Sequence, residues 1–89
     1  MKKHIKVYMK HFGYGEQDLI MCEMGFLAPA TDIHHILFKS QGGTDEIDNL
    51  VALCRDCHDA AHGKIPGKTL SRETLFKVVE ARNESRKIV

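Results

Sequence analysis

The sequence predicts a small α+β domain in which two short strands and a short helix are flanked by an N-terminal and a C-terminal helix. Three observations predict it. β-rich runs at 31–37 and 50–53 stand on either side of a loop containing Gly42 and Gly43. The first run carries a doubled histidine, His34-His35, and the second is followed by His58 and His62 at helical i, i+4 spacing. Apolar residues recur at helical intervals near both ends of the chain.

Residues 3–12 read as a helix with Ile5, Tyr8, Met9 and Phe12 on one side, ended by Gly13 and Gly15. Residues 19–24 read as a short strand around Cys22, and 25–30 as a turn containing Pro29. The run 31–37 is β-rich enough to be a strand. Gly42-Gly43-Thr44-Asp45 marks a loop with left-handed backbone demands. Residues 50–53 form the returning strand, and 56–62 a helix stopped by Gly63 and Pro66. In the last helix Ser71 is the cap, Glu73 lies in the first turn, and Leu75, Phe76, Val78 and Val79 supply an apolar stripe.

Eighty-nine residues, 43% of them hydrophobic and none tryptophan, suit one domain with a thin core that a structural metal would help. No apolar run is long enough to span a membrane, and Lys10, His11 and Gly13 interrupt where a secretion signal would be apolar. A cytoplasmic location is expected. Three cysteines in a reducing compartment suit metal ligation better than disulfides. The net charge of +1 hides a division: residues 1–12 and 64–89 each carry +4, and 13–63 carries −7. Clustered cations of this kind form phosphate-binding surfaces, although solvated helix faces look the same in a sequence. Arg55, Lys64, Arg82 and Arg86 are the candidate DNA-binding residues.

The histidines carry the chemistry. From His35 the steps are fourteen residues to Asn49, nine more to His58 and four more to His62. Four residues along a helix advance about 400°, which sets His58 and His62 on one face within reach of one metal. The third ligand is expected from His34 or His35 on the facing strand. Successive strand residues point to opposite faces, so one of the two should ligate while the other reaches towards substrate. Three protein ligands leave room for water or substrate, as in a catalytic metal site. Isolated histidines such as His4 and His11 read as surface or helix-face residues.

Cys54-Arg55-Asp56-Cys57-His58 also matches a c-type haem attachment signature, but that leaves His34, His35, Asn49 and His62 without a shared role. A thioredoxin-like pair lacks its βαβ frame, and a Cys2His2 finger fails on spacing. Cys22, Cys54 and Cys57 are better read as ligands of a structural zinc. Its fourth ligand is open, because Gly25 stands where a paired cysteine would; His11, Glu23, water or a second chain are the candidates, and an absent zinc is the alternative.

Asp32-Ile33-His34-His35-Ile36, Gly42-Gly43-Thr44-Asp45, Ile47-Asp48-Asn49-Leu50 and Leu53-Cys54-Arg55-Asp56-Cys57-His58, ending at His62, closely resemble the HNH endonuclease family, to which the colicin DNases are related. The resemblance covers about a third of the chain, with a core motif at about 31–63 inside a single domain spanning 1–89. It implies the ββα-metal (His-Me finger) fold and a metal-dependent endonuclease acting on duplex DNA. It further implies His35 as general base, His34, His58 and His62 as metal ligands, and Asn49 as the brace that orients the catalytic histidine. Many relatives hold a structural zinc with two Cys-x-x-Cys pairs, and this chain keeps only Cys22 of the first. One catalytic divalent ion is implied. Imidazoles favour zinc, nickel or copper by affinity, and turnover can use manganese or magnesium. Asp32 is a candidate partner for an imidazole. One base and one metal imply nicking of one strand per site, so a double-strand break needs two protomers or two nicks. The alternative is a noncatalytic, zinc-stabilised nucleic-acid-binding module on the same fold.

Overall fold

Strands β1 (Asp32–His35) and β2 (Leu50–Leu53) pair antiparallel, with Asp32 opposite Leu53, Ile33 opposite Ala52, His34 opposite Val51 and His35 opposite Leu50. The computed structural model describes residues 2–25 and 27–87, with only the backbone for Arg86 and Lys87. Because side chains alternate across a strand, this pair has two differently occupied faces. Helix α1 (Lys3–Phe12) covers one, where Tyr8 packs with Ile33, Leu50 and Ala52. Helices α2 (Arg55–Ala61) and α3 (Arg72–Lys87) close the other, where Ile36, Val51 and Leu53 meet Cys57, Leu75 and Val79. All four residues of β2 are therefore buried. The result is a three-helix, two-strand α+β arrangement with the predicted strand–strand–helix order at its centre.

Most element ends follow local chemistry. Gly13 caps α1 at φ 73°, its N–H bonding the Lys10 carbonyl while Tyr14 N–H reaches Met9 O. Ser71 Oγ accepts the Thr74 N–H at 3.2 Å, which is the expected N-cap of α3. The first strand stops at His35, two residues short of the expected end. Leu37 N–H is taken by the Asn49 side chain at 2.8 Å and not by a neighbouring strand.

Three expectations need correction. The segment 19–24 is not a strand. Its contacts with the following residues reduce to one bridge, Met21 to Pro29, flanked by Cys22 N–H to Ala28 O and Ala30 N–H to Ile20 O. Pro29 has no N–H to extend a ladder. On α1, Val7 joins the apolar cluster in place of Met9. On α3, Phe76 is 41% exposed and Leu75 carries the buried contact. Among the described residues no helix is long and apolar enough to cross a membrane.

Arg82 occupies a different place from the phosphate-facing one expected of it. Its guanidinium runs inward from α3, donating to Glu23 Oε1 and Oε2 at 3.0 and 3.1 Å and to the Leu50 and Ile47 carbonyls at 3.0 Å each. It also lies over the Phe12 ring at 4.9 Å. Glu23 in turn accepts from the Tyr8 hydroxyl at 2.8 Å and the Ala52 N–H at 2.7 Å. Burial, then the Glu23 carboxylate, push the Tyr8 phenol above its ordinary pKa, so it remains a donor. This ion pair ties both outer helices to β2. The Arg86 side chain lies outside the described residues.

Removing one partner of a buried pair leaves the other charge uncompensated, at a cost on the order of 3 kcal/mol. Arg82→Ala should lose about that much in denaturant unfolding. Arg82→Lys should recover only part, because a point charge cannot serve four acceptors. Wild-type stability with weakened DNA binding in Arg82→Ala would instead return this residue to the surface role.

Candidate metal centre and active site

Strand β1 and helix α2 bring three imidazoles together. His34 lies on the β1 face that meets α2, 4% exposed, and His58 and His62 lie one turn apart on and just after α2. The ring centroids are 5.2 Å (His34–His58), 5.1 Å (His34–His62) and 4.6 Å (His58–His62) apart. One donor nitrogen from each falls within 4.8 Å of the others. Burial, then repulsion from His58 and His62, lowers the His34 pKa to about 4, and burial also lowers that of His58. Both rings are therefore neutral at pH 7, with lone pairs available. His58 Nε2 and His62 Nε2 approach to 3.1 Å, a separation that a shared proton or a cation between them relieves. This donor set fits one divalent ion with coordination positions left open.

The three imidazole rings have supports of their own. Asp32 Oδ2 lies 3.3 Å from the buried His58 Nδ1, close enough to attract it but not aligned as a hydrogen bond. Phe38 stacks on His62, with centroids 5.0 Å apart and planes 11° from parallel. Arg72 of α3 covers the other partner of this stack, 5.1 Å from the Phe38 centroid, and is held by Gln41. Asp32 was legible in the sequence; nothing in the local pattern marked Phe38.

His35 points to the other face of β1. Its Nε2 lies 2.8 Å from Asp45 Oδ1, and Lys39 Nζ is 3.0 Å from Asp45 Oδ2. The hydrogen bonds from His35 and then Lys39 hold the Asp45 carboxyl down to about 2, so it is ionised and can only accept. Because this carboxylate only accepts, His35 donates to it through Nε2–H, and the tautomer that does so carries its lone pair on Nδ1. His4 of α1 packs on His35 with centroids 4.3 Å apart.

Asn49 holds the loop that carries Asp45. Its Oδ1 accepts Leu37 N–H at 2.8 Å, and its Nδ2 donates to Leu37 O at 3.0 Å and Thr44 O at 2.9 Å. The loop's glycines serve different ends. Gly42 adopts φ 89°, as expected, but Gly43 is needed because a Cβ there would run into the Leu37 carbonyl. Asp45 and His4 are functional candidates that sequence reasoning misses, although Asp45 lies in the Gly42-Gly43-Thr44-Asp45 loop that the sequence marks.

His34, His35, His58 and His62 line one open cavity of about 600 Å³, together with Lys2, Lys3, His4 and Lys39. Arg55, 65% exposed beside Asp32 at 4.0 Å, and the exposed Lys64 do not line it. The cations nearest the imidazoles thus come from the N-terminus and from the loop after β1.

Cys22, Cys54 and Cys57 also converge, buried, with their sulfurs within 4.8 Å of one another. Burial pushes the Cys57 thiol up. Burial acts the same way on Cys54, but hydrogen bonds from the Cys57 backbone and from both other thiols outweigh it and bring Cys54 down. A cluster of three cysteine sulfurs suits zinc, which binds them as thiolates. Among the described residues no fourth ligand joins it: Glu23 is held by Arg82 and Tyr8, and His11 packs edge-on to Phe12.

An antiparallel strand pair and a following helix that converge three imidazoles define a ββα-metal domain. The family model described as HNH endonuclease matches residues 20–64, half of the chain, and the protein belongs to that family. The Type IV methyl-directed restriction enzyme EcoKMcrA of Escherichia coli (strain K12) is 47% identical over 34 residues, which are 38% of this chain and 12% of that enzyme. The match therefore spans about an eighth of the length of this curated relative. No solved structure matches the chain.

Asn49→Ala leaves three backbone groups without their partner and should cost on the order of 3 kcal/mol. Amide exchange measured across residues 37–45 should rise more than in α3. Equal protection in both proteins would remove Asn49 as the brace.

The metal-free protein should also lose stability as pH falls. The unfolded chain takes up the His34 proton near the ordinary value of 6.5, while the folded chain takes it up only near 4. This contribution is complete above 6.5 and disappears as pH drops towards 4. Denaturant unfolding in chelator across that range reads it, and His34→Ala should flatten the slope.

Proposed function

We propose that this protein is a metal-dependent DNA endonuclease that hydrolyses one phosphodiester strand per active site. The observation that carries this reading is the meeting of two separate histidine systems in one cavity, His35 on Asp45 and the trio His34, His58 and His62. A binding module has no need of a base held beside its metal ligands. Family membership and the restriction enzyme's similarity support DNA as the substrate.

His34, His58 and His62 would hold the divalent ion. When bound, it supplies Lewis-acid stabilisation of charge developing on phosphate oxygens. His35 Nδ1 accepts a proton from water as the water oxygen bonds to phosphorus, and the bond from phosphorus to the 3′ oxygen breaks. The 3′ oxygen takes a proton from solvent, leaving a 3′-hydroxyl and a 5′-phosphate. Asp45 keeps the His35 ring oriented through Nε2–H and offsets the imidazolium that forms. Lys2, Lys3 and Lys39 supply flanking phosphate contacts, which should make binding weaken steeply with salt.

Supercoiled plasmid, incubated with chelated protein restored with manganese, magnesium, zinc or nickel in turn, tests this reading. Open circles should form before linear product. His35→Ala should slow cleavage by about 10² to 10⁴ while DNA binding and metal binding by His34, His58 and His62 persist. Near-normal cleavage by that variant would remove His35 as the base, and no cleavage with any ion would favour a noncatalytic nucleic-acid-binding module.

A further inference from the structure

His4, His35 and Asp45 each offer a ligand atom, and these atoms lie within 4.8 Å of one another. This group shares no member with the imidazole trio, yet it opens into the same cavity. Each of the three side chains is held. His4 is carried on α1 and packs on the His35 ring at 4.3 Å, and Asp45 is held by Lys39 on the loop that Asn49 braces. All three are half-buried, so solvent ions can enter while the donors stay close together. Two imidazoles and a carboxylate with an open position suit a borderline divalent ion such as zinc better than magnesium, which prefers an all-oxygen shell.

We propose that His4, His35 and Asp45 form a second, inhibitory zinc site. The ion replaces the hydrogen bond between His35 Nε2 and Asp45. The Nε2 proton moves to Nδ1, Nε2 gives its lone pair to the ion, and the ion releases bound water in exchange. An imidazole with zinc on one nitrogen and a proton on the other has no lone pair left for a substrate water. Occupancy therefore withdraws His35 from proton transfer. Zinc taken up here and zinc taken up by the trio have opposite consequences. The inhibitory consequence rests on the nuclease reading, whereas the binding of the ion does not.

Zinc stoichiometry, measured by titration against a chromophoric chelator, tests the site without reference to cleavage. The wild-type protein should bind one more zinc than His4→Phe, which keeps an aromatic ring against His35 and removes the donor. His4→Asn serves as a second variant, with circular dichroism showing which of the two keeps its fold. His34→Ala, which damages the trio, should retain the additional ion. In manganese-supported cleavage, zinc should inhibit the wild type at a concentration at least about tenfold lower than it inhibits His4→Phe. Equal stoichiometry in the wild type and the folded His4 variants would overturn the proposal even if the protein cleaves DNA. Loss of the additional ion in His4→Phe would sustain the site even if no cleavage were found.

Discussion

Asn49 uses its side-chain amide as a backbone substitute, giving Leu37 both a donor and an acceptor and reaching Thr44 as well. The His35 side of the cavity depends on this contact. Past His35 the Ile36 N–H goes to the Asn49 carbonyl and the Leu37 N–H to the Asn49 side chain, which also fixes the loop from which Asp45 reaches back to His35. Asn49 is 8% exposed, where unpaired amide groups are costly, so the loop and the side chain hold each other. Gly43 allows the required closeness to the Leu37 carbonyl, which any Cβ would obstruct.

The second constraint is the two-residue period of β1. Adjacent histidines on one strand face opposite ways, which assigns His34 to the α2 side and His35 to the α1 side. Their environments then diverge. His34 is enclosed by other imidazoles and stays neutral well below pH 7, while His35 meets an ionised carboxylate. Because both stand at the end of the strand, they still open into one cavity. A one-residue slip in register would exchange the two faces and dismantle both systems at once.

A sheet of two strands cannot hold such a site by itself. Helices on both faces bury β2 completely, and the Glu23–Arg82 pair joins α1, β2 and α3 through backbone and side-chain acceptors. The cost of desolvating these charges is met by many hydrogen bonds in a small space. Arg72 extends the same helix's influence to the imidazole trio, through Phe38 and the ring of His62. Helix α3 thus supports the imidazole trio without contributing a side chain to it.

The sequence by itself determined the elements whose signals are local. The Gly13 stop, the Ser71 cap, the β-rich runs and the i, i+4 step from His58 to His62 each depend on neighbours within a few residues. It also determined that His34 and His35 should part, since that follows from strand geometry alone. Only the tertiary structure decided which distant groups would meet them. Asp45 and His4 come to His35 across ten and thirty-one positions, and Phe38 comes to His62 across twenty-four. Arg82 had the charge of a phosphate contact, but the space between α3 and β2 drew it inward to Glu23. Composition and periodicity record what a residue prefers; which of several suitable partners it meets is set by chain packing, where shape and unpaired polar groups far apart in sequence must be satisfied together.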